Sequence, residues 1–329
     1  MVYSDPALQA YLESLAAVIA AQNPSGSLQY RIAVLRDPTP KAFALSNASI
    51  YLSAGALARV DDEAQLAFVI AHLLNELALD HPLGEYYGRR GRAIARDLSL
   101  GVAREGPQIP GVETAPFFYI PFGAAFANSA RDRQEEADLG GIQWLTRAGF
   151  ATATAPAVLA VFREIDDYGN EPCQAYCSSL VERAPIAANP GGRNDVAGLR
   201  RATQRVALES VSLRVKSGEY ALAIEDAERM SARYGESAPL QYYQGESRLR
   251  LLALDRAQKH MRRALELDPG YRPAQRGVGE VLLAQGNAAE AEAVFAEYLR
   301  ANPNAPDAGA VDALLRQSHA RAANGSQPP

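Results

Sequence analysis

The chain has 329 residues, a formal net charge of -5 and 48% hydrophobic residues, enough for two or three domains with a sizeable core. Acidic and basic residues are interspersed, which excludes the basic footprint of a nucleic-acid or anionic-membrane binder, and no apolar run is long enough to span a bilayer. The start, Met1-Val2-Tyr3-Ser4-Asp5, lacks the basic and apolar regions of a signal peptide. It reads either as a cytosolic protein or as a mature segment with an added Met1.

In chain order, residues 5–22 predict an amphipathic helix, with Leu8, Tyr11, Leu12, Leu15, Val18 and Ile19 at helical spacing. Asn23-Pro24-Ser25-Gly26 ends it. Tyr30 to Leu35 reads as a short strand, followed by a turn over 36–40. Lys41 to Leu45 and Ser49 to Leu52 read as two more strands around Ser46-Asn47-Ala48. A helix is expected from Asp61 to about Asp80, stopping near Pro82 and Gly84. A Gly/Pro-rich aromatic stretch fills 106–123, and another helix covers Ala130 to Ala148. Cys173 and Cys177 follow Pro172 in a C-x-x-x-C spacing. No His or other Cys lies within thirty residues, so a zinc knuckle is not expected. A pair of free thiols and a local disulfide both remain open. Asn189-Pro190-Gly191-Gly192 is the best domain boundary, which divides the chain into 1–194 and 195–329.

The C-terminal part repeats itself at an offset of 34 residues. Gly218, Leu252 and Gly286 are equivalent, as are Ala223, Ala257 and Ala291. Ala227, Met261 and Phe295 form a third set, and Met230, Ala264 and Tyr298 a fourth. Gly235, Pro269 and Pro303 close the units, while Gly245 and Gly279 share a small position whose first member is Val211. Period, residue size and helix breakers match the tetratricopeptide pattern. Three such repeats predict helical hairpins with a concave groove that binds protein or peptide segments. Arg214, Tyr242, Arg248 and Arg276 on the first helices are the candidate groove residues, because Arg and Tyr anchor interfaces most often. Each can equally be a solvated helix residue, and Tyr242 a core residue. The charge choice predicts an acidic or extended segment as occupant.

The helix over 67–82 carries the other signal. In an H-E-x-x-H helix two His ligands lie one turn apart, and the Glu between them polarises a zinc-bound water. Here His72 holds the first position, Leu73 the base position and Glu76 the second ligand position. The segment resembles metallopeptidase family forty-eight, the group of CAAX prenyl proteases, HtpX-type proteases and periplasmic peptidases carrying tetratricopeptide repeats. Lys41-Ala42-Phe43-Ala44-Leu45 resembles the family's edge strand, and Ile50-Tyr51-Leu52 with Gly55-Ala56-Leu57 its continuation. Asp62-Glu63-Ala64-Gln65-Leu66-Ala67 resembles the run that opens the zinc helix. Residues 131–138 with Gly141 and Ala148-Gly149-Phe150 resemble its R-x-x-E-x-E-A-D helix. The departures fall on the chemistry. Gln134 stands where the resemblance implies a third zinc ligand, and Asn47-Ala48 replace glycines beside the substrate strand. The later H-P-x-x-x-R segment reads Asn189-Pro190-Gly191-Gly192-Arg193.

His72 can also be a packed core histidine, and Glu76 a solvated one-turn neighbour. His81 lies half a turn out of phase with His72 and faces away. Glu76 can replace an imidazole on zinc, and Glu135 or Glu136 can substitute for the weak amide of Gln134. The expected fold is mainly α with a small β-sheet, a zincin-like domain followed by a tetratricopeptide α-solenoid. The resemblance implies the periplasm or the outer membrane as the setting. With the base at Leu73 gone, the favoured function is a pseudopeptidase without cofactor or catalytic residues, acting as an adaptor or assembly factor. The alternative is an active zinc metalloendopeptidase using His72, Glu76 and Glu135 or Gln134.

Overall fold

The computed structural model describes residues 1–45, 47–80, 136–158 and 191–323. The chain divides into two compact units, Met1–Thr203 and Gln204–Pro329. Gln134, Glu135, His81, Cys173, Cys177, Asn189 and the 106–123 stretch lie outside the described residues.

The first unit opens with strand β1 (Val2–Tyr3) and helix α1 (Pro6–Ala20). Asp5 caps α1 by accepting from the Ala7 and Leu8 amides, and Pro6 starts the helix where no N–H is needed. Leu8, Leu12, Leu15 and Ile19 form its buried stripe. Val18 does not join them and is exposed, because it lies at the flank of the face that Leu15 and Ile19 turn inward. Strands β2 (Arg31–Leu35), β3 (Ala42–Leu45) and β4 (Ser49–Ser53) complete a sheet of order β1-β2-β4-β3. β2 and β4 run parallel, while β1 and β3 pair antiparallel at the two edges. Ile50 and Leu52 of β4 point into the core, and Phe43 of the edge strand stacks on Tyr51 on the opposite face.

Ser53 ends β4 and starts α2 (Ala54–Arg59), its Oγ accepting from the Ala56 and Lys41 amides and donating to the Thr39 carbonyl. Helix α3 (Glu63–Ala78) is capped by Asp62, which accepts from Gln65 N–H, while Gln65 Oε1 accepts from Asp61 N–H. It is buried on nearly all sides from Glu63 to Asn75, as befits the central element of a domain, and packs against α1, β3 and the 3₁₀ turn Ala155–Val158. A further helix, α4, spans 136–147. A Cβ on Gly141 would stand 3.0 Å from the His72 amide nitrogen, and one on Gly140 would overlap the Asn75 amide. This glycine pair lets α4 approach the middle of α3.

The second unit continues α5 (Val196–Lys216), inside which the division falls, with α6 (Tyr220–Tyr234), α7 (Ala238–Arg250), α8 (Leu254–Leu267), α9 (Arg272–Ala284), α10 (Ala288–Ala301) and α11 (Ala308–Ala323). Each helix from α6 onward packs on the next, and α7, α9 and α11 also pack side by side. The 34-residue offset is visible in the backbone itself. Gly218, Leu252 and Gly286 all take positive φ, at 78°, 59° and 87°. The next residue's amide then reaches back to the carbonyls of Arg214, Arg248 and Leu282 at 2.9, 2.8 and 2.9 Å, which terminates each first helix by the same motif. Ala223, Ala257 and Ala291 are fully buried where the paired helices meet. One position pair trades volume along the array. Gly245 sits against Met261 and Gly279 against the Phe295 ring, whereas the first repeat has Val211 and Ala227 there.

Candidate functional site

His72 and Glu76 occupy successive turns of α3, and Asp138 faces them from α4. His72 Nδ1 is 2.7 Å from Asp138 Oδ1, and His72 Nε2 is 3.5 Å from Glu76 Oε1. Asp138 is fully buried, while the imidazole keeps 16% of its side-chain surface open. Burial alone would disfavour the imidazolium. The charge of Asp138, its hydrogen bond and the nearby Glu76 outweigh that and push the His72 pKa up to about 10. The arrangement is therefore a cationic ring held between two carboxylates.

The same geometry is what a metal-ligating histidine uses, with Nδ1–H fixed by a carboxylate and Nε2 turned to the site. The third-ligand position, Gln134, lies outside the described residues, so the described donors are only part of the set a catalytic zinc would use. One imidazole and one carboxylate fall short of three protein ligands, and no His/Cys/Asp/Glu group suited to hold a metal occurs among the described residues. Leu73, at the base position, is 3% exposed and has no atom that accepts a proton from water. Sequence reasoning treated Asp138 only as part of a motif.

A second polar cluster ties residues 193–195 to the start of α3. Glu63 is fully buried and accepts from Arg193 Nε at 3.0 Å, Arg193 Nη2 at 2.7 Å, Asp195 N–H at 2.9 Å and the Tyr11 hydroxyl at 3.2 Å. Arg193 also covers the Phe150 ring, 5.0 Å from its centroid. Burial together with the Glu63 charge pushes the Tyr11 hydroxyl well above its usual range. These contacts give the Arg of the segment resembling H-P-x-x-x-R an anchoring role.

The repeat residues separate into two pairs. Arg214 is buried and pairs with Asp226 and Glu219. It does not line a groove, because its position on α5 turns toward α6. Arg248, one repeat later, bonds Glu228 of α6 at 3.0 Å and Gln244 Oε1 at 3.3 Å. Tyr242 is buried in the repeat core with its ring edge-on to Tyr271, so its hydrophobic body is structural. Arg276 lies beside it, with Nη2 3.5 Å from the Tyr242 hydroxyl, and pairs with Glu280 and Asp307 at 2.9 Å each. The structure thus brings Tyr242 and Arg276 together and leaves Arg214 and Arg248 in separate ion pairs to α6. It adds Glu246 and Glu280, which sequence reasoning missed although they stand 34 residues apart.

Comparison with known proteins agrees with this two-part layout. Residues 4–184 match the model of Peptidase family M48, and residues 244–306 match a tetratricopeptide repeat model. A putative beta-barrel assembly-enhancing protease of Vibrio cholerae serotype O1 is 25% identical over 177 residues, which make up 52% of this chain and 36% of that protein. The chain therefore spans only about a third of that relative's length. Because the peptidase match covers more than half of the 329 residues, the chain belongs to Peptidase family M48, here followed by tetratricopeptide repeats.

Proposed function

We propose that this chain is a non-catalytic member of its family, a pseudopeptidase that binds protein segments and acts as an adaptor or assembly factor of the bacterial cell envelope. The observation that carries the reading is Leu73, buried beside His72 where the mechanism needs a carboxylate. General-base catalysis contributes roughly two to four orders of magnitude, and no neighbouring described group replaces it. The repeats supply the binding function, since such stacks expose a surface to partner segments. The envelope setting draws support from the Vibrio cholerae relative, a putative beta-barrel assembly-enhancing protease. No described helix is long and apolar enough to cross a membrane.

The reading is tested by Leu73→Glu, Glu76→His and Gln134→Glu made together. The triple variant is expected to gain zinc affinity over the parent, because the scaffold still brings α3 and α4 together at His72. A folded triple variant with no gain would refute the positional match on which the reading stands.

One observation favours a second reading, an active metalloendopeptidase with His72, Glu76 and Glu135 or Gln134 as ligands. The Asp138 contact at 2.7 Å keeps His72 oriented as a ligand would be. Zinc-dependent hydrolysis of an unfolded protein by the parent, abolished by His72→Ala, would establish it.

A further inference from the structure

The polar residues between α7 and α9 do not balance. Glu246 and Glu280 occupy the same repeat position, 34 residues apart, and Asp307 joins them at the start of α11. Two guanidiniums, Arg250 and Arg276, face these three carboxylates. Arg276 is ion-paired with Glu280 and Asp307, at 2.9 Å from each, although its Nε–H is left without a well-aligned hydrogen bond. Arg250 bonds Glu246 Oε1 at 2.8 Å but stands 3.7 Å from Glu280 Oε2, and its side chain is 48% exposed. Glu246 is 6% exposed, and its other oxygen, Oε2, is buried without any hydrogen-bond partner. An acceptor left unmade in this way is costly, more so for a charged group. With the carboxylates of Glu246, Glu280 and Asp307 facing only the guanidiniums of Arg250 and Arg276, the cluster is short of one positive charge.

We infer that this groove takes a basic side chain, lysine or arginine, from a bound protein segment, which bonds Glu246 and Glu280. The inference rests on the protein-binding reading above and reverses the charge expected from the sequence. An acidic segment needs unspent cations, but Arg248 is committed to Glu228 and Arg276 to Glu280 and Asp307. Arg250 acts as the internal stand-in. Its half-exposed guanidinium, which bonds one oxygen of Glu246 through Nε and Nη2 but does not reach Glu280 within hydrogen-bond distance, gives way to a ligand cation that reaches both carboxylates at once. Burial and the facing Glu246 hold the Glu280 carboxyl above its usual range, and Arg276 and Arg250 offset this only in part. A second cation at this place would remove that repulsion.

The test uses the full chain immobilised against three libraries of short degenerate peptides, with lysine, glutamate or alanine fixed at the centre. The lysine library should be enriched. Glu280→Gln should weaken its capture about tenfold, the scale of one lost charge-assisted contact. Arg250→Ala, confirmed folded by its helical content, should strengthen it several-fold by removing the competitor. Equal capture of the three libraries, preference for glutamate, or weaker capture by Arg250→Ala would overturn the inference while leaving the groove a peptide site. Capture of none would overturn both this inference and the adaptor reading.

Discussion

At the scale of single residues, charge pairing decides the state of the His72 side chain. His72 lies between Asp138 and Glu76, and its pKa in the fold, about 10, exceeds the ordinary 6.5. A group whose pKa rises on folding adds stability that is complete below its unfolded pKa and lost as pH rises through the folded one. In the presence of a chelator, the melting temperature should therefore fall more steeply from about pH 7 to about pH 10 in the parent than in His72→Gln. Parallel curves for the two proteins would show that the ring carries no such charge. A second residue-scale effect lies at Leu252, which is 77% exposed and holds φ at 59° where both sister repeats use glycine. A left-handed conformation costs an L side chain about 1–2 kcal/mol, and glycine gives back about 0.5–1 kcal/mol in chain entropy. Leu252→Gly should stabilise the chain by about 0.5–1 kcal/mol by these terms, read as a higher urea midpoint. A lower midpoint would mean that the exposed leucine has a partner in the folded chain.

At the scale of elements, close packing sets the cost of change. In α3, Leu73 is buried, and full burial of a leucine contributes about 1.5–3 kcal/mol. Leu73→Glu alone should lose this and add a buried carboxylate, lowering the melting temperature; an unchanged value would indicate a cleft open to water. In α9, Gly279 touches the Phe295 ring of α10. Gly279→Ala should cost about 1–3 kcal/mol by overpacking, and adding Phe295→Leu should recover part of it. Purely additive losses in that double-mutant cycle would disconnect the two positions.

The elements also show what the sequence can carry. The repeats were legible because residue size recurs at 34 residues and each size has a geometric duty: positive φ at Gly218 and Gly286, contact at Ala223, Ala257 and Ala291. β1 and α2 were not, since two residues show no alternation and Ala54–Arg59 is too short for a helical period. His72, Leu73 and Glu76 were legible by position alone. Asp138 was not, because its role depends on Gly140 and Gly141 letting α4 reach α3. Glu246 and Glu280 escaped notice because a glutamate on a helix is ordinarily solvated, and only the fold buries these two.

At the scale of the whole molecule, the chain carries a unit of Peptidase family M48 and a repeat unit whose helices pack regularly. The family sets the scaffold, and the proposed reading turns on Leu73 and Glu76 within it. In active members of such a site, polar ligands without metal would be expensive to bury; here a leucine and an ion-paired histidine fill the same turns. The most direct measurement of this account is the zinc content of the full chain after dialysis against micromolar zinc and removal of free metal. The account predicts far less than one zinc per chain, unchanged in His72→Ala. One tightly held zinc per chain, lost in His72→Ala, would contradict it.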